Sequence, residues 1–147
     1  MPIVAFSALI LLALTTLIQY EVMGLMNGRL HDIQIPNRSK LLVVVFFAFA
    51  AHALQILVYG LAFYGLTRFA DVGTLVGSSV GTFSTYFYFS AETFTSLGFG
   101  DLTPTGSIRF LAGVEALNGL VLIGWTASFL YIAMERFWKQ PPARPGR

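Results

Sequence analysis

Between Thr95 and Asp101 the chain reads Thr-Ser-Leu-Gly-Phe-Gly-Asp, with two glycines one residue apart and a carboxylate after them. Such a string ordinarily spells a tight surface turn. It also permits a less common chemistry. In an ordinary strand successive carbonyls point to opposite sides, whereas left-handed backbone at alternate residues aims them all one way. Glycine takes those dihedrals at little cost and other residues resist them. Aligned carbonyls of Thr95, Ser96, Leu97, Gly98, Phe99 and Gly100 would replace the water ligands of a dehydrated cation. No further glycine extends the G-x-G into a dinucleotide loop. Other chemistry has few groups to use. There is no cysteine, so no thiol nucleophile, disulfide framework or zinc cluster. His52 has no His, Cys or carboxylate at ligand spacing, so it is not a metal site. No nucleophile, base and orienter share a segment, so neither an enzyme nor a cofactor is expected.

The elements that must position this hexapeptide follow from composition. The chain has 147 residues, of which 56% are hydrophobic and only 11% charged. Soluble domains carry about 25% charged residues, and a chain this poor in charge cannot cover a water-exposed surface. The class is therefore integral membrane, all-α, in a single membrane domain over 1–147. The net charge of +2 is too small to argue for nucleic acid. Residues 2–22 are long and apolar enough to span. Retention is favoured over cleavage as a signal peptide, because no Lys or Arg precedes the run and Gln19-Tyr20-Glu21-Val22 is a poor cleavage site. The stretch 21–40 is polar and broken by Gly24, Gly28 and Pro36. An outer spanning helix is predicted over 41–67. Gly73, Gly77 and Gly81 follow at a four-residue spacing that fits a helix-packing face, although a flexible outer loop is the preferred reading. The aromatic segment 83–94 is too short to span and reads as a re-entrant helix. A last spanning helix covers 108–134, and 135–147 is a tail. Lys and Arg concentrate in 21–40 and in the tail, which places both in the cytoplasm and the N-terminus outside.

Irregular backbone at membrane depth survives only where protein or a water-filled cavity satisfies it. A spanning helix, a short helix, a glycine-containing hexapeptide and a second spanning helix form one such arrangement. In this context Thr95–Asp101 resembles the potassium-channel signature TTVGYGD, and the likeness extends over roughly Leu41 to Met134. The resemblance implies a homotetramer in the cell membrane around one central pore, with 83–94 as pore helix and 95–100 as selectivity filter. Potassium ions would occupy the filter, held by the six carbonyls from Thr95 to Gly100. Ser96 stands where the signature has its second Thr and would add a hydroxyl ligand. Leu97 and Phe99 would pack into a cuff of Tyr86, Tyr88 and Phe89. Phe99 replaces the usual Tyr, so the hydroxyl bond to that cuff is absent. Glu92 matches family members in which a Glu on the pore helix bonds the Asp after the filter, here Asp101, as a supporting strap. Gly119 aligns with the inner-helix hinge glycine, and Gly124 is a second candidate. The rival readings are a weakly selective cation channel and a non-conducting membrane assembly partner.

Several polar residues fall inside the apolar runs. Glu115 and Asn118 lie three apart on one helix face and read either as hydrogen-bonding groups behind the filter or as gating or permeation groups. His52 and Gln55, also three apart, are expected to bond the first helix. Arg109 opens the inner helix, Trp125 is expected to pack, and Trp138 reads as an inner-interface anchor. No helix repeats Arg or Lys at every third position, so no voltage sensor is expected. The first helix is extra to a two-helix pore and is expected to lie outside the outer helix, against lipid or a neighbour.

Overall fold

The computed structural model describes residues 1–29, 36–77 and 81–138. Their order is α1 (Pro2–Arg29), α2 (Asn37–Phe69), β1 (Leu75–Gly77), α3 (Phe83–Phe94), β2 (Leu102–Pro104) and α4 (Ile108–Trp138). Three helices, α1, α2 and α4, are long and apolar enough to cross a membrane. With 28, 33 and 31 residues they run to about 42–50 Å at about 1.5 Å per residue, more than the ~30 Å hydrocarbon core. The 12 residues of α3 reach only about 18 Å.

The first helix is longer than the sequence reading, continuing through Glu21, Gly24 and Gly28 to Arg29. No proline interrupts it after Pro2. Each internal glycine costs about 1 kcal/mol of helix propensity, but Met23 and Met26 are buried in the same turns and outweigh that cost. Arg29 then lies in the last turn, where a cation suits the helix dipole. The buried residues Val4, Ala8, Leu11, Thr15, Gln19, Met23 and Met26 recur every three or four positions, a single stripe. That stripe packs against both α2 and α4, not only on the outside of the outer helix as expected. Thr15 and Gln19 explain the seat, because their hydrogen-bond partners lie on those two helices.

The core of the bundle gathers Tyr59 and Phe63 of α2, Phe89 and Phe94 of α3, Ile108, Leu111 and Leu122 of α4, and Val4, Ala8 and Leu11 of α1. A smaller cluster of Met26, Val44 and Ala133 closes the other end, where Arg136 also donates to Asn27 at 3.0 Å. Short α3 is wedged between α2 and α4 by two glycines. A Cβ on Gly60 would lie 3.2 Å from the Phe87 Cα, and one on Gly119 would lie 2.0 Å from the Phe94 carbonyl oxygen.

The stretch around Gly73 and Gly77 is neither the helix face nor the loose loop of the sequence reading. β1 pairs antiparallel with β2 in the register Leu75↔Pro104, Val76↔Thr103 and Gly77↔Leu102. Leu75 and Leu102 are buried and anchor the ribbon. Met1 lies with Thr67, Asp71, Gly106 and Ser107 around one cleft, so the N-terminus sits at the ribbon end of the bundle.

Candidate functional site

The hexapeptide begins as the cap of α3. Thr95 is the C-cap, the Ser96 N–H donates to the Thr93 carbonyl at 3.0 Å, and the Leu97 N–H donates to the Glu92 carbonyl at 2.9 Å. These are the paired bonds of a Schellman ending, which demands a left-handed residue after the cap. Ser96 fills that position with φ 57°. A non-glycine there costs about 1–2 kcal/mol, set against two satisfied helix-end carbonyls. Gly98 at φ 55° and Gly100 at φ 80° continue the pattern, so positive φ falls on every second residue. The Thr95 hydroxyl turns back to the Ala91 carbonyl at 2.8 Å. Residues 95–101 are all exposed in the single chain, including Leu97 and Phe99.

Behind the loop stands Glu92, a buried carboxyl at the end of α3. Its Oε2 accepts the Phe99 N–H at 3.2 Å, and the carboxyl also interacts with Asp101. Tyr88 donates its hydroxyl to Asp101 Oδ1 at 3.3 Å. Of the three aromatics expected beside the filter, Tyr88 therefore reaches the loop's far end. Tyr86 and Phe89 instead make edge contacts with Tyr64 and Phe63 of α2, at centroid distances of 5.5 and 5.1 Å.

Burial pushes the Glu92 carboxyl above its ordinary range; the Phe99 amide opposes this, and the Asp101 charge and hydrogen bond add to it. A raised carboxyl pKa means the folded protein holds the proton more tightly than the unfolded chain. The resulting stability is full below the ordinary carboxyl pKa and is lost as pH rises through the raised value. Unfolding midpoints of the detergent-solubilised protein should therefore fall as pH climbs through that interval. Glu92→Gln should flatten this part of the profile; an unchanged slope would place its origin elsewhere.

Glu115 and Asn118 both face into the bundle. Glu115 Oε1 pairs with the Ser90 hydroxyl on the back of α3, and the Ser90 oxygen also lies 2.8 Å from the Ile56 carbonyl. One hydroxyl proton serves one acceptor at a time, so Ser90 donates either to Glu115 of α4 or to the Ile56 carbonyl of α2. Gly119 sits against Phe94, whereas a Cβ on Gly124 would meet nothing within 4 Å, and α4 runs unbroken past both. Arg109 is exposed, and Trp125 is borderline exposed rather than packed in the single chain. The Trp138 side chain and the tail beyond it lie outside the described residues, as do the side chains of Asn37 and Arg38.

Of the polar network that joins the spanning helices, the sequence reading anticipated that His52 and Gln55 would bond the first helix. Gln55 does, whereas His52 reaches Gln55 and Thr126 of α4, and the rest of the network was not foreseen. Asn118 donates to the Thr15 hydroxyl at 2.7 Å and to the Tyr59 hydroxyl at 3.0 Å. Gln19 donates to Thr126 at 2.7 Å and accepts from Gln55 at 2.9 Å. His52 Nδ1 meets Gln55 Oε1 at 2.9 Å and its Nε2 meets Thr126 at 3.0 Å. The amide of Gln55 is committed to Gln19 and to the Thr15 carbonyl, so its oxygen must accept from His52. The available signal was Thr15 and Gln19, uncharged polar residues four apart in an otherwise apolar run. Among the described residues no group of three or more His, Cys, Asp or Glu could hold a metal ion.

The site is thus a helix-capped loop with positive φ at alternate residues, a carboxyl on its amide side, and spanning helices before and after it. No curated protein and no solved structure matches the chain. A family model described as "Ion channel" does match, over residues 39–136, from the start of α2 through the loop to the end of α4 but without α1. With two thirds of its length and the whole of the loop inside that match, the chain belongs to this family of ion channels, proteins of transport rather than of catalysis.

Proposed function

We propose that this ion channel is potassium-selective and that four identical chains surround one conduit, with residues 95–100 as its filter. The observation that carries the reading is the alternation of positive φ at Ser96, Gly98 and Gly100, the backbone state that turns neighbouring carbonyls toward one side. One chain supplies one wall of such a site, and a ring of carbonyls around a dehydrated cation needs several copies about an axis. An apolar surface for those copies is available, since Phe110, Leu117, Leu120 and Val121 of α4 are exposed in the single chain. Ions cross passively, and several sites in series let an entering ion displace the one ahead. Glu92 holds the Phe99 amide and acts with Asp101 and Tyr88 as the strap behind the filter. The N-terminus lies outside the cell, because Met1 shares the ribbon end of the bundle while the basic connection and tail are cytoplasmic.

The test is potassium-gradient flux from liposomes holding the purified protein. Barium-sensitive flux that persists with potassium and fails when sodium replaces it is expected. Equal potassium and sodium reversal potentials would overturn selectivity and leave a general cation channel. Absence of flux from an assembled protein would favour a non-conducting assembly partner.

A further inference from the structure

We propose that the β1–β2 ribbon is an outer clamp on the filter and that Gly77 is its positioning residue. The inference rests on the filter reading above. β2 starts at Leu102, directly after Asp101, so the ladder pair Gly77↔Leu102 abuts the last residue of the loop. Gly77 has φ +149°, and a Cβ there would lie 2.1 Å from the Asp101 carbonyl oxygen and 3.0 Å from Leu102 Cδ2. The backbone of β1 is thus in close contact with the Asp101–Leu102 peptide, the next one after the filter, at a distance only glycine allows. The other end of the ribbon is closed in the same way. A Cβ on Gly73 would lie 2.1 Å from the Thr105 carbonyl oxygen. Thr105 donates its N–H to the Thr74 carbonyl at 2.8 Å, and Ser107 donates to the Val72 carbonyl at 2.7 Å. Buried Leu75 and Leu102 fix the ribbon to the core, and α4 begins four residues after β2 ends.

The clamp answers a need created by Phe99. A phenylalanine has no hydroxyl with which to tie the filter to surrounding side chains. The side-chain bonds that reach Phe99 and Asp101, from Glu92 and Tyr88, both come from α3. They hold the loop from one side. β1 supplies the opposing surface, so Asp101 is gripped by its side chain from α3 and by its main chain from β1. The Gly100–Asp101 peptide, which carries the Gly100 carbonyl, is directly followed by the gripped Asp101–Leu102 peptide. Restoring an ordinary carbon–oxygen contact of about 3.3 Å after adding a methyl to Gly77 moves that peptide by about 1 Å. Discrimination between ions depends on where the carbonyls sit, so such a shift acts on selectivity before it acts on assembly.

Gly77→Ala and Gly81→Ala form a matched pair. Gly81 also has positive φ, +130°, but nothing lies within 4 Å of a Cβ there, so the two substitutions share the backbone strain and differ in the contact. The full-length channel is reconstituted in bilayers, and reversal potentials in potassium and sodium are read together with oligomer size in detergent and amide hydrogen exchange at residues 99–102. Gly77→Ala is expected to keep the parental oligomer size, lower the potassium preference read from the reversal potentials and speed exchange at 99–102. Gly81→Ala is expected to match the parent in all three. Thr105→Val adds no bulk but removes the Thr105 hydroxyl bond to the Thr74 carbonyl. It is expected to move exchange and preference the same way by less, and it decides the matter if Gly77→Ala does not fold. Equal effects of Gly77→Ala and Gly81→Ala, or parental exchange at 99–102 in both Gly77→Ala and Thr105→Val, would overturn the clamp. A parent that does not discriminate potassium from sodium would overturn the filter reading instead, and hydrogen exchange would still report on the clamp.

Discussion

Gly119→Ala is expected to be the most damaging glycine-to-alanine change within the spanning helices of this channel. The added Cβ would sit 2.0 Å from the Phe94 carbonyl oxygen, 2.8 Å from its carbonyl carbon and 3.1 Å from its Cα. All three are backbone atoms, so no side chain can swing away to relieve the overlap. Either α4 or the end of α3 must move, and the end of α3 is where the Schellman bonds launch the loop. Overpacking of this kind costs about 1–3 kcal/mol, and the rigid partner argues for the upper end. Flux should fall with stability, since the loop is displaced with Phe94. Gly124→Ala is the natural comparison: with nothing within 4 Å, it should stabilise α4 by up to about 1 kcal/mol through helix propensity. Thermal unfolding in detergent and liposome flux separate two roles for Gly119. Close packing predicts that both measurements drop in Gly119→Ala. A hinge predicts intact stability with altered opening, and that result would displace the packing account.

Asn118→Leu and Gln19→Leu should be costly substitutions among the polar residues of the spanning helices. Asn118 joins α4 to α1 through Thr15 and to α2 through Tyr59. Gln19 joins α1 to α4 through Thr126 and to α2 through Gln55. Each replacement leaves buried polar partners short of a bond, at about 1–3 kcal/mol. Interhelical hydrogen bonds in membranes are worth less on average, about 0.6 kcal/mol with a maximum near 1.7. Two bonds are lost in each case, so about 2 kcal/mol is expected for either variant. The effects should not add, because Thr15, Gln19 and Gln55 belong to one connected set. Thr16 is only half-buried, and Thr16→Val is expected to stay within about 0.5 kcal/mol of the parent. Equal midpoints for all of these proteins would show that α1 is held by apolar packing alone.

Legibility differed sharply between elements. The three long apolar helices were readable from long apolar runs almost free of charge, since a bilayer imposes its requirement on each segment separately. Short α3 was readable from its length and aromatic content. The left-handed glycines of the loop were readable because only glycine accepts those dihedrals cheaply. Ser96 was not, because its positive φ comes from the Schellman ending of α3, a property of where the helix stops. The ribbon was missed because the glycine-rich stretch with Gly73, Gly77 and Gly81 carries no strand alternation and reads as a flexible loop. What places Gly77 in a strand is its pairing with Leu102, twenty-five positions away in the chain.

The sequence by itself determined that this chain is a membrane protein, how many of its helices can cross, and where paired glycines open a loop to left-handed backbone. Those properties depend on residue type and on spacing over a few positions. Only the tertiary structure decided that α1 is built into the bundle, that Gly119 is a point of contact, and that the loop is bounded by a ribbon. These depend on pairs such as Gln19 with Thr126 and Thr15 with Asn118, separated by 107 and 103 residues. A polar side chain in an apolar run announces that it needs a partner, but which partner it finds is decided by how the helices pack.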